Sequence, residues 1–281
     1  MSRPLHSRAS TYSSHRRSGL GLIVLAALMA LALPAMADDT LTVQVDGRVA
    51  HPGAQTLPAG SRLADAVLQA DVLPDAYPPG AAWLRSRLRD EQTRLKAGLL
   101  YEAGVLRGQA RLDGDTDLAR LATRLERAWH AMPVTGRETQ ALLDPRPLEI
   151  SDRNHLLDEG DRVVYPPRPH TVRITGAVVK TCTVPFTGLK AARAYLATCP
   201  RAAAADPDWL VVIQPDGRIQ RRGIAAWNRQ PPQPLAPGAV LYVPLKAAAL
   251  PASVREDFNR DAAHFLATQL LSTDTRAGGT P

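Results

Sequence analysis

The stretch Leu41-Thr42-Val43-Gln44-Val45-Asp46-Gly47-Arg48-Val49 alternates apolar and polar residues as a half-buried strand must, with Val43, Val45 and Val49 on one face. Much later the chain repeats it as Thr171-Val172-Arg173-Ile174-Thr175-Gly176-Ala177-Val178-Val179, with the glycine in the same place. The two copies also share their downstream sequence pattern. After the first, Pro52-Gly53 marks a turn, and Arg62 to Leu68 has the spacing of a short amphipathic helix. After the second come a turn and a helix over Leu189 to Leu196. The units close alike, through Gly160-Asp161-Arg162-Val163-Val164-Tyr165-Pro166 and Gly238-Ala239-Val240-Leu241-Tyr242-Val243-Pro244. A repeated opening strand, helix and closing strand defines two related α+β domains.

The first unit is interrupted. Leu84, Leu88, Leu95 and Leu99 mark one helical face, Gly104, Gly108 and Gly114 break the pattern, and Leu118, Leu121, Leu125 and Trp129 mark a second face. This predicts a helical hairpin over about residues 77–131, inserted in the first β domain. Asp113, Asp115 and Asp117 imitate the start of a calcium loop. The loop's last ligand would fall on Arg124, where calcium needs a bidentate Glu, so the aspartates read as a turn and a helix N-cap. In the second unit, Pro215-Asp216-Gly217 joins the strand Trp209 to Gln214 to a return strand, because glycine tolerates positive φ. Near the end, Ser253 and Glu256 predict a capping box for a helix with the apolar stripe Val254, Phe258, Ala262, Phe265, Leu266 and Leu270. That stripe either packs on the second domain or docks a partner. Mixed charge on its polar face argues against an anionic membrane surface.

The first 37 residues read as a signal peptide cleaved after Ala37. Arg3, Arg8, Arg16 and Arg17 precede an apolar run of 14 residues, Leu20 to Leu33, and Ala35-Met36-Ala37 supplies the small-residue cleavage pattern. The run is short for a membrane span; an uncleaved anchor is the alternative. The expectation is a periplasmic protein. Of the net charge of +7, four belong to this segment's arginines, leaving +3 on the remainder. With no basic block interleaved by aromatics, nucleic acid is not an expected partner. Cys182 and Cys199, the only cysteines, are expected to pair in an oxidising compartment, with a free thiol as the alternative.

Motifs that carry chemistry are scarce. There is no G-x-S-x-G elbow, no His-Glu-x-x-His pair and no glycine-rich phosphate loop. His51, His130, His155, His170 and His264 are scattered without metal-ligand spacing. No catalytic residue, metal or cofactor is expected.

Gly47, Pro52-Gly53 and Leu63-Ala64-Asp65-Ala66 are similar to the soluble-ligand-binding β-grasp domains of outer-membrane polysaccharide exporters. Thr135-Gly136-Arg137, Asp144-Pro145, Pro166-Pro167-Arg168-Pro169, Val212 to Gly217 and Ala226-Trp227-Asn228 come after them in order. With these the chain resembles the GfcC-like capsule and exopolysaccharide biosynthesis proteins of the Gram-negative periplasm. The resemblance implies two β-grasp domains, over 38–168 and 169–249, with the helical hairpin in the first and a C-terminal amphipathic helix and tail over 250–281. It also implies a non-enzymatic accessory role, with polysaccharide or outer-membrane polysaccharide export proteins as partners.

Four residues are candidates for ligand contact. Arg137 follows a Thr-Gly turn and could offer its guanidinium fork to an acidic sugar, or form an ion pair with Asp144. Arg85 is a candidate for the same cleft. Trp227 could stack on a sugar ring or be core, and Asn228 could bond a ligand or cap its loop. Two other classes stay open. A polymer-modifying enzyme would need facing carboxylates, for which Asp144 and Glu149 are available; a structural envelope subunit would need no glycan contact.

Overall fold

A computed structural model describes residues 39–271; the expected signal peptide lies outside the described residues. The chain is α+β, with two five-stranded sheets. The first contains β1 (Thr40–Gly47), β2 (Gly53–Pro58), β3 (Ala82–Leu84), β4 (Arg137–Glu138) and β5 (Arg162–Tyr165), in the order β2-β1-β5-β3-β4. The second contains β6 (Thr171–Gly176), β7 (Cys182–Pro185), β8 (Trp209–Ile213), β9 (Ile219–Gly223) and β10 (Val240–Val243), in the order β7-β6-β10-β8-β9. Each is an antiparallel hairpin whose first strand pairs in parallel with the last strand of its unit. The two orders are the same pattern, which is that of a β-grasp.

The repeated glycine has one physical reason in both copies. Gly47 and Gly176 have φ of +93° and +96°, and each opposes the last residue of the closing strand, Tyr165 or Val243. A Cβ on Gly47 would stand 2.0 Å from the Tyr165 carbonyl oxygen, and one on Gly176 2.3 Å from that of Val243. Only glycine allows the chain to turn away so close to its neighbour.

The closures are less alike than they read. Register makes Tyr165 the counterpart of Val243, so Tyr242 is displaced by one residue and faces the opposite side of its sheet. Tyr165 is packed in the first core, where its hydroxyl donates to the Leu143 carbonyl at 2.9 Å. Tyr242 donates instead to Asn259 Oδ1, at 2.9 Å, on the C-terminal helix.

The helices are α1 (Leu63–Ala70), α2 (Arg89–Leu112), α3 (Thr116–Ala131), the single turn α4 (Pro145–Leu148) and α5 (Phe258–Ala267). Several expectations are corrected. Leu84 belongs to β3 and Leu88 to a 3₁₀ turn, so the helical hairpin proper is shorter than the predicted insertion. Gly104 and Gly108 do not interrupt α2; with nothing within 4 Å of their Cβ positions, they cost propensity without breaking the hydrogen bonds. The segment Ala192–Thr198 is 3₁₀ rather than α-helical. The capping box does not form: Ser253 lies in a turn, α5 begins at Phe258, and Asp257 makes no side-chain cap. Asp115, by contrast, caps α3 by accepting from the Leu118 amide at 2.9 Å.

Two cores form. One lies under the first sheet and α1, with Val43, Val45, Leu63, Trp83 and Val163. The other is larger and joins the second sheet to α2, α3 and α5. The hairpin inserted in the first unit thus buries its apolar faces with the second. Leu99, Leu106, Leu121 and Leu125 share that core with Val211, Tyr242 and Phe265, and Trp129 meets Phe258 edge-on at 5.7 Å. Phe258, Ala262, Phe265 and Leu266 of the predicted stripe are buried there with Val254 from just before α5, while Leu270 lies beyond the helix and is exposed, as are Arg260 and His264.

Cys182 and Cys199 form a disulfide, with Cα atoms 6.0 Å apart. Cys182 begins β7, and Cys199 comes directly after the 3₁₀ segment. The bond closes a loop with little helical structure of its own. Its reduction is expected to lower stability by roughly 3 kcal/mol, the unfolded-chain entropy of such a loop. Urea midpoints with and without reductant will show this, and coincident curves would rule it out.

Candidate functional site

Arg137 occupies β4 at the meeting of the two units and is 4% exposed. Its Nη1 donates to the carbonyls of Ala267 and Gln269, at 3.3 and 3.0 Å, and its Nη2 to those of Ala81, at 3.2 Å, and Pro215. One guanidinium thus ties together the residue that leads into β3, the β8–β9 turn and the end of α5. The fork offered to an acidic sugar is already occupied by backbone, so Arg137 is corrected from ligand contact to junction. Asp144 is not its partner either; that carboxylate caps α4 and pairs with Arg146 at 3.3 Å. Neighbouring contacts reinforce the junction. The Gln140 amide donates to the Asp216 carbonyl at 2.7 Å, and the Thr135 hydroxyl to that of Thr268 at 2.8 Å.

Arg85 lies on the opposite face of the first sheet. Leu84 opposes Arg137 in register, while Trp83 opposes Glu138 and shares its side with Arg85. The Arg85 guanidinium covers the Trp83 ring at 4.0 Å and pairs with Asp158, with Asp161 at 3.8 Å and Glu138 at 3.9 Å beyond. Arg85 and Arg137 therefore share no cleft.

Buried tyrosines make the fold sensitive to alkali. Tyr77, whose hydroxyl donates to the Pro237 carbonyl at 3.0 Å across the units, is pushed up to about 12 by burial. Burial raises Tyr165 and Tyr242 as well. An unfolded tyrosine releases its proton near pH 10, so above that pH the unfolded chain has lost protons the folded chain keeps. Stability is complete below about pH 10 and falls as pH climbs toward 12, on the order of 1 kcal/mol per tyrosine per pH unit. Arg137 opposes this. Burial disfavours its charge and pushes it down to about 10, which acts in the opposite sense, but one group does not offset three tyrosines. The urea midpoint is expected to drop between pH 9 and pH 11; a flat profile would contradict the burial of these hydroxyls.

Trp227 and Asn228 divide between surface and support. The loop after β9 is pressed against the strand end: a Cβ on Gly223 would stand 2.1 Å from the Asn228 carbonyl oxygen. Asn228 caps that loop, accepting from the Ala225 amide at 3.1 Å and donating to the Asp208 carbonyl at 3.1 Å. Trp227 is held outward, 73% exposed. Its indole N–H points to Asp208 Oδ1 at 3.4 Å, and its ring meets Trp209 edge-on, with centroids 6.5 Å apart and planes at 87°. The Arg221 guanidinium lies 3.7 Å over Trp209. Trp209 and Arg221 are the members that sequence reasoning missed; Trp209 reads only as the first residue of a strand. These residues lie at the end of the β8–β9 hairpin remote from its Asp216-Gly217 turn, and hence from the Arg137 junction. An exposed indole that meets a second indole, itself carrying a guanidinium over its ring, can stack on the apolar face of a sugar ring and has charged N–H groups in its neighbourhood.

A cleft of about 440 Å³ lies elsewhere, between the α2–α3 elbow and the second unit, lined by Leu106, Asp113, Asp117, Lys246 and Leu250 among others. Neither Asp144 nor Glu149 lines it. Among the described residues no group of three or more His, Cys, Asp or Glu side chains is placed to hold a metal ion.

Fold and surface together define a tandem β-grasp protein with an inserted helical hairpin. Residues 37–165 match the family described as "Capsule biosynthesis GfcC, N-terminal", and residues 180–270 match "Capsule biosynthesis GfcC C-terminal". The chain belongs to this GfcC capsule biosynthesis family. It is also similar to "Uncharacterized protein YjbG" of Escherichia coli strain K12, with 29% identity over 195 residues, covering 68% of this chain and 76% of that protein. Membership points to a role in capsule or exopolysaccharide biosynthesis.

Proposed function

We propose that this chain is a non-enzymatic accessory protein of the periplasm that binds the extracellular polysaccharide during its assembly or export. The observation that carries this reading is Trp227. What sets it apart from other exposed apolar side chains is its company: a braced loop holds it outward against a second indole, an aromatic surface of the kind on which sugar rings stack. Trp209 broadens the aromatic surface, and a sugar's axial C–H groups suit such a face. Asp144 caps α4 and pairs with Arg146, and neither it nor Glu149 lines the cleft at the α2–α3 elbow, which favours binding over cleavage.

The expected result is that the producing organism's own polysaccharide quenches or shifts the tryptophan emission of the purified protein and raises its melting temperature. Trp227→Ala should remove both responses while leaving the unliganded melting temperature within about 1 °C, since an exposed ring contributes little to the core. If the polysaccharide leaves the protein unchanged while an export protein co-purifies with it, a scaffolding role replaces this one. If incubated polymer becomes shorter, the protein is an enzyme and the reading is wrong.

A further inference from the structure

We infer that the Trp227 surface is built for an acid-bearing glycan, one carrying uronate or similarly carboxylated sugars, and that Arg221 is the carboxylate contact. This rests on the reading of that surface as a glycan site and adds the charge of the ligand.

The basis is how the local arginines are used. Arg218 pairs with Asp216 at 3.0 Å, and Arg222 donates to the Pro231 carbonyl at 2.6 Å. Both are satisfied within the chain. Arg221, between Arg222 and the turn, is exposed and makes no ion pair among the described residues; its one marked contact is with Trp209, the guanidinium carbon lying 3.7 Å from the ring centroid. Arg229, next to Asn228, is likewise without an ion pair among the described residues. Asp206 and Asp208 are the nearby acids, and both are engaged: Asp206 Oδ1 accepts from the amides of Asp208 and Trp209 at 2.8 and 3.1 Å, and Asp208 is met by the Trp227 indole N–H while its backbone carbonyl accepts from Asn228.

Stacking decides what Arg221 can do. The ring covers one face of the guanidinium but leaves its in-plane N–H groups free, and these form the fork that matches a carboxylate in two parallel hydrogen bonds. Holding the plane against Trp209 also removes side-chain freedom before a ligand arrives, so less is lost on binding. Trp227, perpendicular to Trp209, then faces the pyranose ring while Arg221 addresses the carboxylate at its edge. A neutral glycan would use the indole and leave the cation idle.

The test compares matched pairs differing at C6: β-1,4-linked mannohexaose with the oligomannuronate hexamer, and cellohexaose with the β-1,4-glucuronate hexamer. Each is titrated into the full chain by tryptophan fluorescence at low and high sodium chloride. The expected outcome is that the carboxylated member of at least one pair binds about tenfold or more tightly than its neutral partner and loses that advantage in high salt. Arg221→Gln should remove the advantage of the carboxylated member over its neutral partner, whereas Trp227→Ala weakens both. Equal affinities within both pairs, or an advantage that survives Arg221→Gln, overturns the charge assignment while leaving the glycan surface standing. Failure of the wild-type protein to bind either carboxylated hexamer overturns the charge assignment; only failure to bind the producing organism's own polysaccharide overturns the glycan surface.

Discussion

Replacing Arg137 by alanine is expected to lower the unfolding free energy by roughly 3–5 kcal/mol, because it strands acceptors buried around a guanidinium. The carbonyls of Ala81, Pro215, Ala267 and Gln269 come from segments far apart in sequence, and they converge on this one side chain. No local rearrangement can supply a substitute donor to all of them. Arg137→Lys should recover only part of the loss: an ammonium is a single donor centre and cannot span carbonyls that the planar fork reaches on two nitrogens. Urea unfolding followed by circular dichroism measures the change. A loss below about 1 kcal/mol for Arg137→Ala would mean that the units hold together without their central cation.

The second large effect is expected at the repeated glycines. Gly47→Ala and Gly176→Ala should each cost on the order of 3–4 kcal/mol, combining a left-handed backbone with a methyl driven into a carbonyl oxygen. The obstructing atom belongs to the backbone of the paired strand, so it cannot rotate aside as a side chain would. Relief requires parting β1 from β5, or β6 from β10. Gly104→Ala is the control. It lies inside α2 with nothing near its Cβ position, and there the methyl should stabilise by up to about 1 kcal/mol. If the three substitutions behave alike in unfolding experiments, the close-approach explanation fails.

The doubled framework is legible in sequence because its signals are local. Period-two alternation, a glycine at a strand end and a glycine turn before an apolar strand each state their own geometry. The shift between Tyr165 and Tyr242 is not legible, since a Tyr-Pro resemblance carries no register until the strands are paired. The α5 start at Phe258 eluded a cap motif at Ser253 because burial of Phe258 against Trp129 outweighs a capping bond. Arg137 is read wrongly for a more general reason. Its partners are main-chain carbonyls, which every residue possesses, so no side-chain pattern marks them. Trp227 is visible as a candidate, but its exposure depends on where the β9 loop ends against Gly223 and Asn228. That is a tertiary fact.

The role rests on a division of labour. Buried Arg137 joins the β-grasp units, and exposed Trp227, at the far end of the β8–β9 hairpin, is the proposed ligand contact. The most direct test is the dissociation constant for fragments of the producing organism's polysaccharide, measured by titration calorimetry for the wild-type protein and Trp227→Ala. The account predicts that the variant melts as the wild type does and binds at least tenfold more weakly. Undiminished affinity in a folded Trp227→Ala protein would contradict it.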